Sequence, residues 1–429
     1  MNDDTKPTAT MRTATEQISA RALGNAVKAN NEFGTALFAA LREESAGQNF
    51  LTSPISASLA LGMTYAGASG ETRTQMAHAL RLAPSADGDP SFFEGQNALS
   101  QALAQRGTSA FEMEQANRGK YGPPLNASDY SLRLVNSLWG EASYPWQASF
   151  TKALAVNYGA ELCRRDFKHQ SQPTRLEVNR WVSAHTNDRI NDLLPEPAVT
   201  ANTRLLLVNA LHLKLPWEDE FFEGATKPLP FTRSDRKQMM APFMHRQQRL
   251  AYRDDGSAQI VGIPLASRRL WVIIALPHVG VSLADYERSL RADSAALTVP
   301  LQSELVALAL PKVTFTSPSF SLASALQRMG MVHAFDPNRA QFEGMCQVQP
   351  GEVPLYVGDV LQKTMIAMQE SGIEAAAATA VVAIAGCAAL PREQPVPIPM
   401  IVNRPYLLAI VDQPTSALLM LGHIEEPTA

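Results

Sequence analysis

Glu370-Ser371-Gly372-Ile373-Glu374-Ala375-Ala376-Ala377-Ala378-Thr379 is the stretch around which the rest of the chain can be read. It lies between two apolar segments of strand-like composition, Leu355 to Met368 and Ile398 to Val411, with roughly thirty residues of mostly Ala, Val, Gly and Pro between them. An ordinary connection takes about 4–6 residues, and one beyond about 15 is usually functional or disordered. The alanine run favours helix, because Ala loses no side-chain entropy there. The following Ala-Val-Val-Ala-Ile leans towards strand. In extended form alternate side chains share a face. One face carries Ile373, Ala375, Ala377, Thr379, Val381, Ala383 and Ala385; the other carries Glu374, Ala376, Ala378, Ala380, Val382 and Ile384. Both sets are small, so the segment can slide between two strands of an existing sheet. The competing reading is an Ala-rich surface loop.

The chain has 429 residues, 45% hydrophobic and 18% charged, which suits a globular protein with a sizeable core. A net charge of −4 gives no basis for a nucleic acid or an anionic membrane as partner. Cys163, Cys346 and Cys387 are odd in number and far apart, which suggests neither a disulfide framework nor a metal centre. No run of about 18 apolar residues occurs, and the first thirty residues hold no apolar stretch of signal-peptide length. As written, the chain is expected in the cytoplasm; a misassigned start would leave an extracellular location open.

Residues 1–16 are polar and are expected to form a disordered tail, with one domain over 17–429. Helical spacing begins near Ile18 and runs to Leu41. Asn49 to Pro54 reads as a short strand and turn, with Ser53 capping the next helix and Pro54 at its first position. Residues 106–128, with little periodicity and a Pro-Pro pair, read as a loop insertion. Glu177 to Leu194 reads as an amphipathic helix, Leu132 to Trp139 and Thr203 to Leu213 read as strands, Ala258 to Pro277 as two strands turning at Ser267-Arg268, and Leu305 to Phe315 as another strand.

Several of these segments resemble one family. Glu370, Gly372, Glu374, Ala375 to Ala378 and Thr379 fit the hinge of the reactive-centre loop of serpins, suicide inhibitors of proteases; Ser371 and Ile373 depart from its usual residues. Further motifs agree in order: Ser53-Pro54-x-Ser56 through Gly67, Gly70, Thr72 and Gln75; Leu207-Val208-Asn209-Ala210 through Trp217 and Phe221; Leu310-Pro311-Lys312-Val313; Asn403-Arg404-Pro405-Tyr406; and the closing Gly422 to Pro427. The chain is thereby identified as a member of that family, of the inhibitory, prokaryotic type, over about 20–427.

The resemblance implies an α+β fold, a single serpin-like domain with three β-sheets, eight or nine helices and an exposed reactive-centre loop over about 370–400. It implies that Ser53, Ser56 and Asn209 belong to a shutter where strands part, with Gln362 standing where the family usually has a His, and that Trp217 lies at the breach where the loop begins to enter. It places the scissile bond at Gly386-Cys387, with Arg392 as an alternative. The flanking Ala, Val, Ile and Gly suit an elastase-like or subtilisin-like serine protease, a cysteine protease being the other class admitted. No cofactor and no metal are expected, and the protein is expected to be a monomer. An enzyme is disfavoured: no Gly-x-Ser-x-Gly, His-Glu-x-x-His or Gly-Lys-Ser/Thr motif is present, and the eight histidines are scattered. The rival reading is a non-inhibitory carrier or chaperone of the same fold. The hinge separates the two, because Ile373 to Ala385 contains no Pro and its one charge, Glu374, lies on the outward face.

Overall fold

A computed structural model describes residues 12–14, 19–45, 47–82, 90–118, 124–290, 295–298, 301–348, 353–374 and 395–428. In chain order the helices are α1 (Ala20–Arg42), α2 (Pro54–Tyr65), α3 (Gly70–Ala79), α4 (Pro90–Ala104), α5 (Arg106–Arg118), α6 (Ala148–Tyr158), α7 (Phe167–His185), α8 (Leu283–Leu290) and α9 (Ala323–Arg328). The strands are β1 (Phe50–Thr52), β2 (Ser131–Glu141), β3 (Leu162–Arg165), β4 (Leu205–Pro216), β5 (Lys227–Thr232), β6 (Gln238–Asp254), β7 (Ala258–Pro264), β8 (Leu270–Pro277), β9 (Gln302–Pro311), β10 (Val313–Thr316), β11 (Phe320–Ser321), β12 (Asp359–Gln369), β13 (Gly372–Ile373), β14 (Ile398–Ile401), β15 (Tyr406–Asp412) and β16 (Ala417–Ile424).

Among the described residues two hydrogen-bonded sheets result, where three were expected. One runs β10-β12-β13-β4-β2-β3, with β11 on β12. The other runs β1-β16-β15-β8-β7-β6-β9-β14, with β5 on β6. The 17-residue β6 makes the second sheet continuous. Its first part pairs with β5 and β9, while its end pairs with β7, so what would be two sheets share one strand.

Between the sheets lies α2, with all twelve positions buried, as an apolar helix must be when no face meets water. Ser53 caps it, its side chain accepting from the Ser56 N–H, and Pro54 follows at the first position, where a missing N–H costs nothing. Alternation along β4 divides its side chains between two cores. Leu211, Leu213 and Leu215 face the second sheet, and Leu206, Val208 and Ala210 pack with Val135, Trp139, Phe167, Val178 and Val182 under α7.

Several expectations change at this level. Residues 106–118 form α5 rather than a loop. Only Arg106, Gly107 and Ala110 are buried on it, too thin a stripe to register as a helical period. Arg106 instead ties the helix down through a two-pronged bond to buried Asp412, at 2.6 and 3.0 Å. Leu305 to Phe315 is two strands in different sheets, β9 and β10, separated at Lys312. Ile398 to Val411 is likewise split into β14 and β15 around Asn403-Arg404-Pro405. Within the stretch expected as a tail, the Thr13 N–H bonds Val156 O at 3.1 Å, and the Arg12 Nε donates to Asn97 at 2.8 Å.

A buried ionic cluster closes the carboxy-terminal end. His423 Nδ1 lies 2.6 Å from Glu287, its Nε2 3.4 Å from Glu425, and Arg42 Nε 3.3 Å from Glu287. Burial pulls the His423 pKa down, but its bonds to Glu287 and Glu425 outweigh that and leave it raised above 6.5. Burial pushes the Glu425 carboxyl up, yet His423 and Ser234 hold it below its ordinary value. A raised histidine contributes stability that is full below its unfolded pKa and is lost as pH rises through the folded one. The lowered carboxyl contributes above its unfolded pKa and is lost as pH falls through its folded one. The expected result is that the stability gap between the native protein and His423→Gln, read from urea midpoints, shrinks as pH is raised from about 6 to about 8.5. A gap constant across that range contradicts the assignment.

Candidate functional site

The decisive region is the seam between β4 and β12. From Asp359↔Leu206 to Thr364↔Leu211 these strands pair directly and in parallel. Beyond that they part, and β13 occupies the gap. Gly372 and Ile373 pair antiparallel with Gln369 and Met368 on one side and with Pro216 and Leu215 on the other. Gly372 and Ile373, at the start of the hinge, thus already lie in the sheet. Ile373 is fully buried, pointing into the core with Leu213, Leu215, Ile366 and Met368, so the inward face expected from alternation is the observed one.

Gly372 is required here. Its φ is +151°, and a Cβ would lie 2.4 Å from Leu215 O and 2.5 Å from Pro216 Cα. Glu374 has φ +48°, which turns the chain out of the strand direction. Its side chain leaves on the opposite face from Ile373 but is not solvated. It is 4% exposed, with Oε2 3.0 Å from His212 Nε2 and 3.6 Å from Arg189 Nε. The Glu374 N–H bonds Ala367 O at 2.7 Å.

Above the wedge, Trp217 and Glu370 lock the turn. Trp217 Nε1 donates to Gln369 O at 2.7 Å, and its backbone N–H to Ser371 O at 3.1 Å. The Phe221 N–H donates to Glu370 O at 2.8 Å. The Glu370 carboxylate takes Lys312 Nζ at 2.6 Å and the Thr226 hydroxyl at 2.7 Å. Burial opposes its charge, but these two donors outweigh burial and hold its pKa below the ordinary value.

Below the wedge lies a line of buried amides. Asn136, Asn209 and Gln362 are register partners across β2, β4 and β12. Gln362 Oε1 accepts from the Thr52 hydroxyl at 2.6 Å and the Ser53 N–H at 3.0 Å. Its Nε2 donates to Ser53 O at 3.1 Å and to Asn209 Oδ1 at 2.6 Å. Asn209 Nδ2 donates to Leu361 O at 3.1 Å. The Ser53 hydroxyl lies 3.0 Å from the Ser56 hydroxyl and 2.9 Å from Leu419 O. One amide thus joins β12, β4 and the start of α2, with both of its donors and both acceptor positions used, as a buried amide must.

The structure therefore brings Ser53, Ser56, Asn209 and Gln362 into one cluster, and Trp217, Glu370, Gly372, Ile373 and Glu374 into another at the end of the same seam. Ala375, Ala376, Ala377, Ala378, Thr379, Gly386, Cys387 and Arg392 lie outside the described residues. The sequence-based reading missed Thr52 and Asn136 in the first cluster and Thr226, Arg189 and His212 in the second. Lys312 stands inside a motif quoted above, but spacing alone gives no pairing with Glu370.

Comparison with known proteins fits this geometry. The family model described as Serpin (serine protease inhibitor) matches residues 28–427. The chain belongs to the serpin family. Among curated relatives, human Serpin B9 is 30% identical, covering 93% of this serpin and 98% of the relative. Bovine leukocyte elastase inhibitor is 30% identical, covering 96% of this chain and all of the relative. The native-state crystal structure of the thermophilic serpin tengpin superposes with a TM-score of 0.78 at 24% identity, over 97% of this chain and 96% of that one. Native protease nexin-1 with heparin gives 0.77 at 21%, over 95% and 100%. The fold is that of a single serpin domain, and the protein is a protease inhibitor rather than an enzyme.

Proposed function

We propose that this serpin traps a serine protease as an acyl-enzyme by inserting its cleaved loop between β4 and β12. The protease serine attacks the carbonyl of Gly386, the amine of Cys387 leaves, and the acyl group stays on the enzyme. The freed amino-terminal segment then extends β13. The observation that carries this reading is that β13 already lies antiparallel to both neighbours at the open end of a parallel seam. Insertion replaces one parallel pairing with two antiparallel ones, the slightly stronger kind.

The slot is long enough. β4 has 12 residues and β12 has 11, so a strand of similar length fits between them. Residues 373 to 386 in extended form span ~46 Å at ~3.3 Å each. If about ten new ladder bonds contribute ~0.5–1.5 kcal/mol each, insertion yields roughly 5–15 kcal/mol. That equals the stability of a typical domain. It offsets distortion of the protease, where ~1 Å of misplacement can cost ~100-fold in rate. The Gln362 cluster would act as the shutter that holds the seam closed until cleavage, and the Trp217–Glu370 cluster as the breach.

The small residues around Gly386-Cys387 favour an elastase-like or subtilisin-like target. Incubation with a panel of serine proteases, followed by denaturing electrophoresis, tests this. A covalent complex larger than either partner is the expected result. Clean loop cleavage without complex by every protease supports the carrier reading instead. Mass spectrometry of the released carboxy-terminal peptide fixes the bond, with cleavage after Arg392 pointing to a trypsin-like target.

A further inference from the structure

Beyond the end of α7, the outer face of the sheet turns from apolar to cationic. Val135, Leu206, Val208 and Ala210 are covered by the helix. The next positions on that face are Arg133 on β2 and His212 and Lys214 on β4, with Arg133 and His212 as register partners. A cavity of about 560 Å³ opens there, within the size range of small-molecule sites. Its walls include Arg133, Arg189, His212 and Lys214, with hydroxyls from Thr108 and Ser128.

Two carboxylates already draw on these cations. Asp129 takes Lys214 at 2.6 Å, and the hinge carboxylate of Glu374 takes His212 and Arg189. Among the described residues, the permanent cations Arg133, Arg189 and Lys214 thus face the carboxylates of Asp129 and Glu374. The Arg133 guanidinium is exposed and is paired with neither of them. Cationic groups supplied by two strands and a loop suit a multiply charged oxyanion better than a single planar carboxylate.

We propose that this cavity binds a small hydroxyl-bearing phosphate ester, which competes with Glu374 for Arg189 and His212 and so unlatches the loop hinge. This rests on the hinge reading above only for its consequence; binding itself does not depend on it. Because ligand and Glu374 draw on the same donors, each weakens the other's hold to the same degree. Loss of the latch frees the Glu374 N–H from Ala367 O and frees residue 374 to leave its left-handed backbone conformation.

Calorimetric titration of the full chain with fructose 1,6-bisphosphate tests the site, with fructose and matched sodium chloride as controls. Saturable binding is expected, weakened about tenfold or more in Arg133→Ala, a residue that is not an ion-pair partner of Glu374, and tightened several-fold in Glu374→Gln. Hydrogen exchange of residues 372–374 should quicken in the presence of the ligand. Absence of saturable binding, or equal affinity in Arg133→Ala, overturns the site. Binding that persists with no effect of Glu374→Gln and no change in hinge exchange overturns the coupling. None of these outcomes depends on protease inhibition, so failure of the inhibitory reading would be seen separately on the gel.

Discussion

Replacing Ala377 by Arg is expected to turn the inhibitor into a substrate. Alternation from buried Ile373 places residue 377 on the core-facing side once the strand extends. An arginine there must enter an apolar interior formed by residues such as Leu207 and Leu211 of β4. A buried charge left without a partner costs about 3–5 kcal/mol. Insertion then lags behind deacylation, and the protease escapes. The yield of covalent complex on a denaturing gel should fall by well over about tenfold, since 1.4 kcal/mol is a factor of ten, while cleavage of the loop continues. Ala377→Val, apolar and β-branched, should keep most of the complex. Undiminished complex in the arginine variant would count against insertion as the trapping step.

Gln362→Ala is expected to produce the largest loss of native stability among the buried polar positions. It removes four hydrogen bonds at once and strands the Thr52 hydroxyl, the Ser53 backbone and Asn209 Oδ1 in a dry interior. Leaving even one such group unsatisfied costs about 1–3 kcal/mol. Some partners can pair again, so a loss of about 3 kcal/mol is expected, measured as a shift in urea midpoint. The direct β4–β12 pairing around Asn209↔Gln362 should loosen too, speeding amide exchange of residues 359–364. A midpoint within about 0.5 kcal/mol of the native protein's, the range of an ordinary surface substitution, would show that the amide does not hold the seam.

Much of this site was legible in the chain because it is written in short local patterns. Small residues without Pro after Gly372, a Ser-Pro helix start at Ser53 and an Asn within a Leu-Val run each declare themselves over a few positions. The inward direction of Ile373 followed from period-two alternation once the charged Glu374 was placed on the outward face. What stayed hidden depends on chain segments far apart in sequence. Nothing near Glu374 announces Arg189 and His212, which come from the loop after α7 and from β4. Glu374 faces away from the core as expected, and the face it meets is covered and charged. Helix α5 was hidden because its anchor is an ion pair to Asp412, 306 positions away, rather than an apolar stripe. The two chain segments read as single strands, ending at Phe315 and Val411, each cross from one strand to another, at Lys312 and at Asn403-Arg404-Pro405; a lone Lys does not mark the first crossing, whereas the second carries a turn composition that the reading passed over.

Gly372 and Ile373 lie between β4 and β12 while residues 359–364 still pair directly with β4; under the proposed insertion, that sheet is one strand short of its lowest-energy arrangement. Thermal denaturation of the intact protein against the same protein nicked at Gly386-Cys387 measures that deficit. The nicked form should melt about 6–17 °C higher, as roughly 5–15 kcal/mol of added pairing requires for a chain of 429 residues. Equal or lower melting of the nicked form would mean that no strand was gained and that the loop does not complete the sheet.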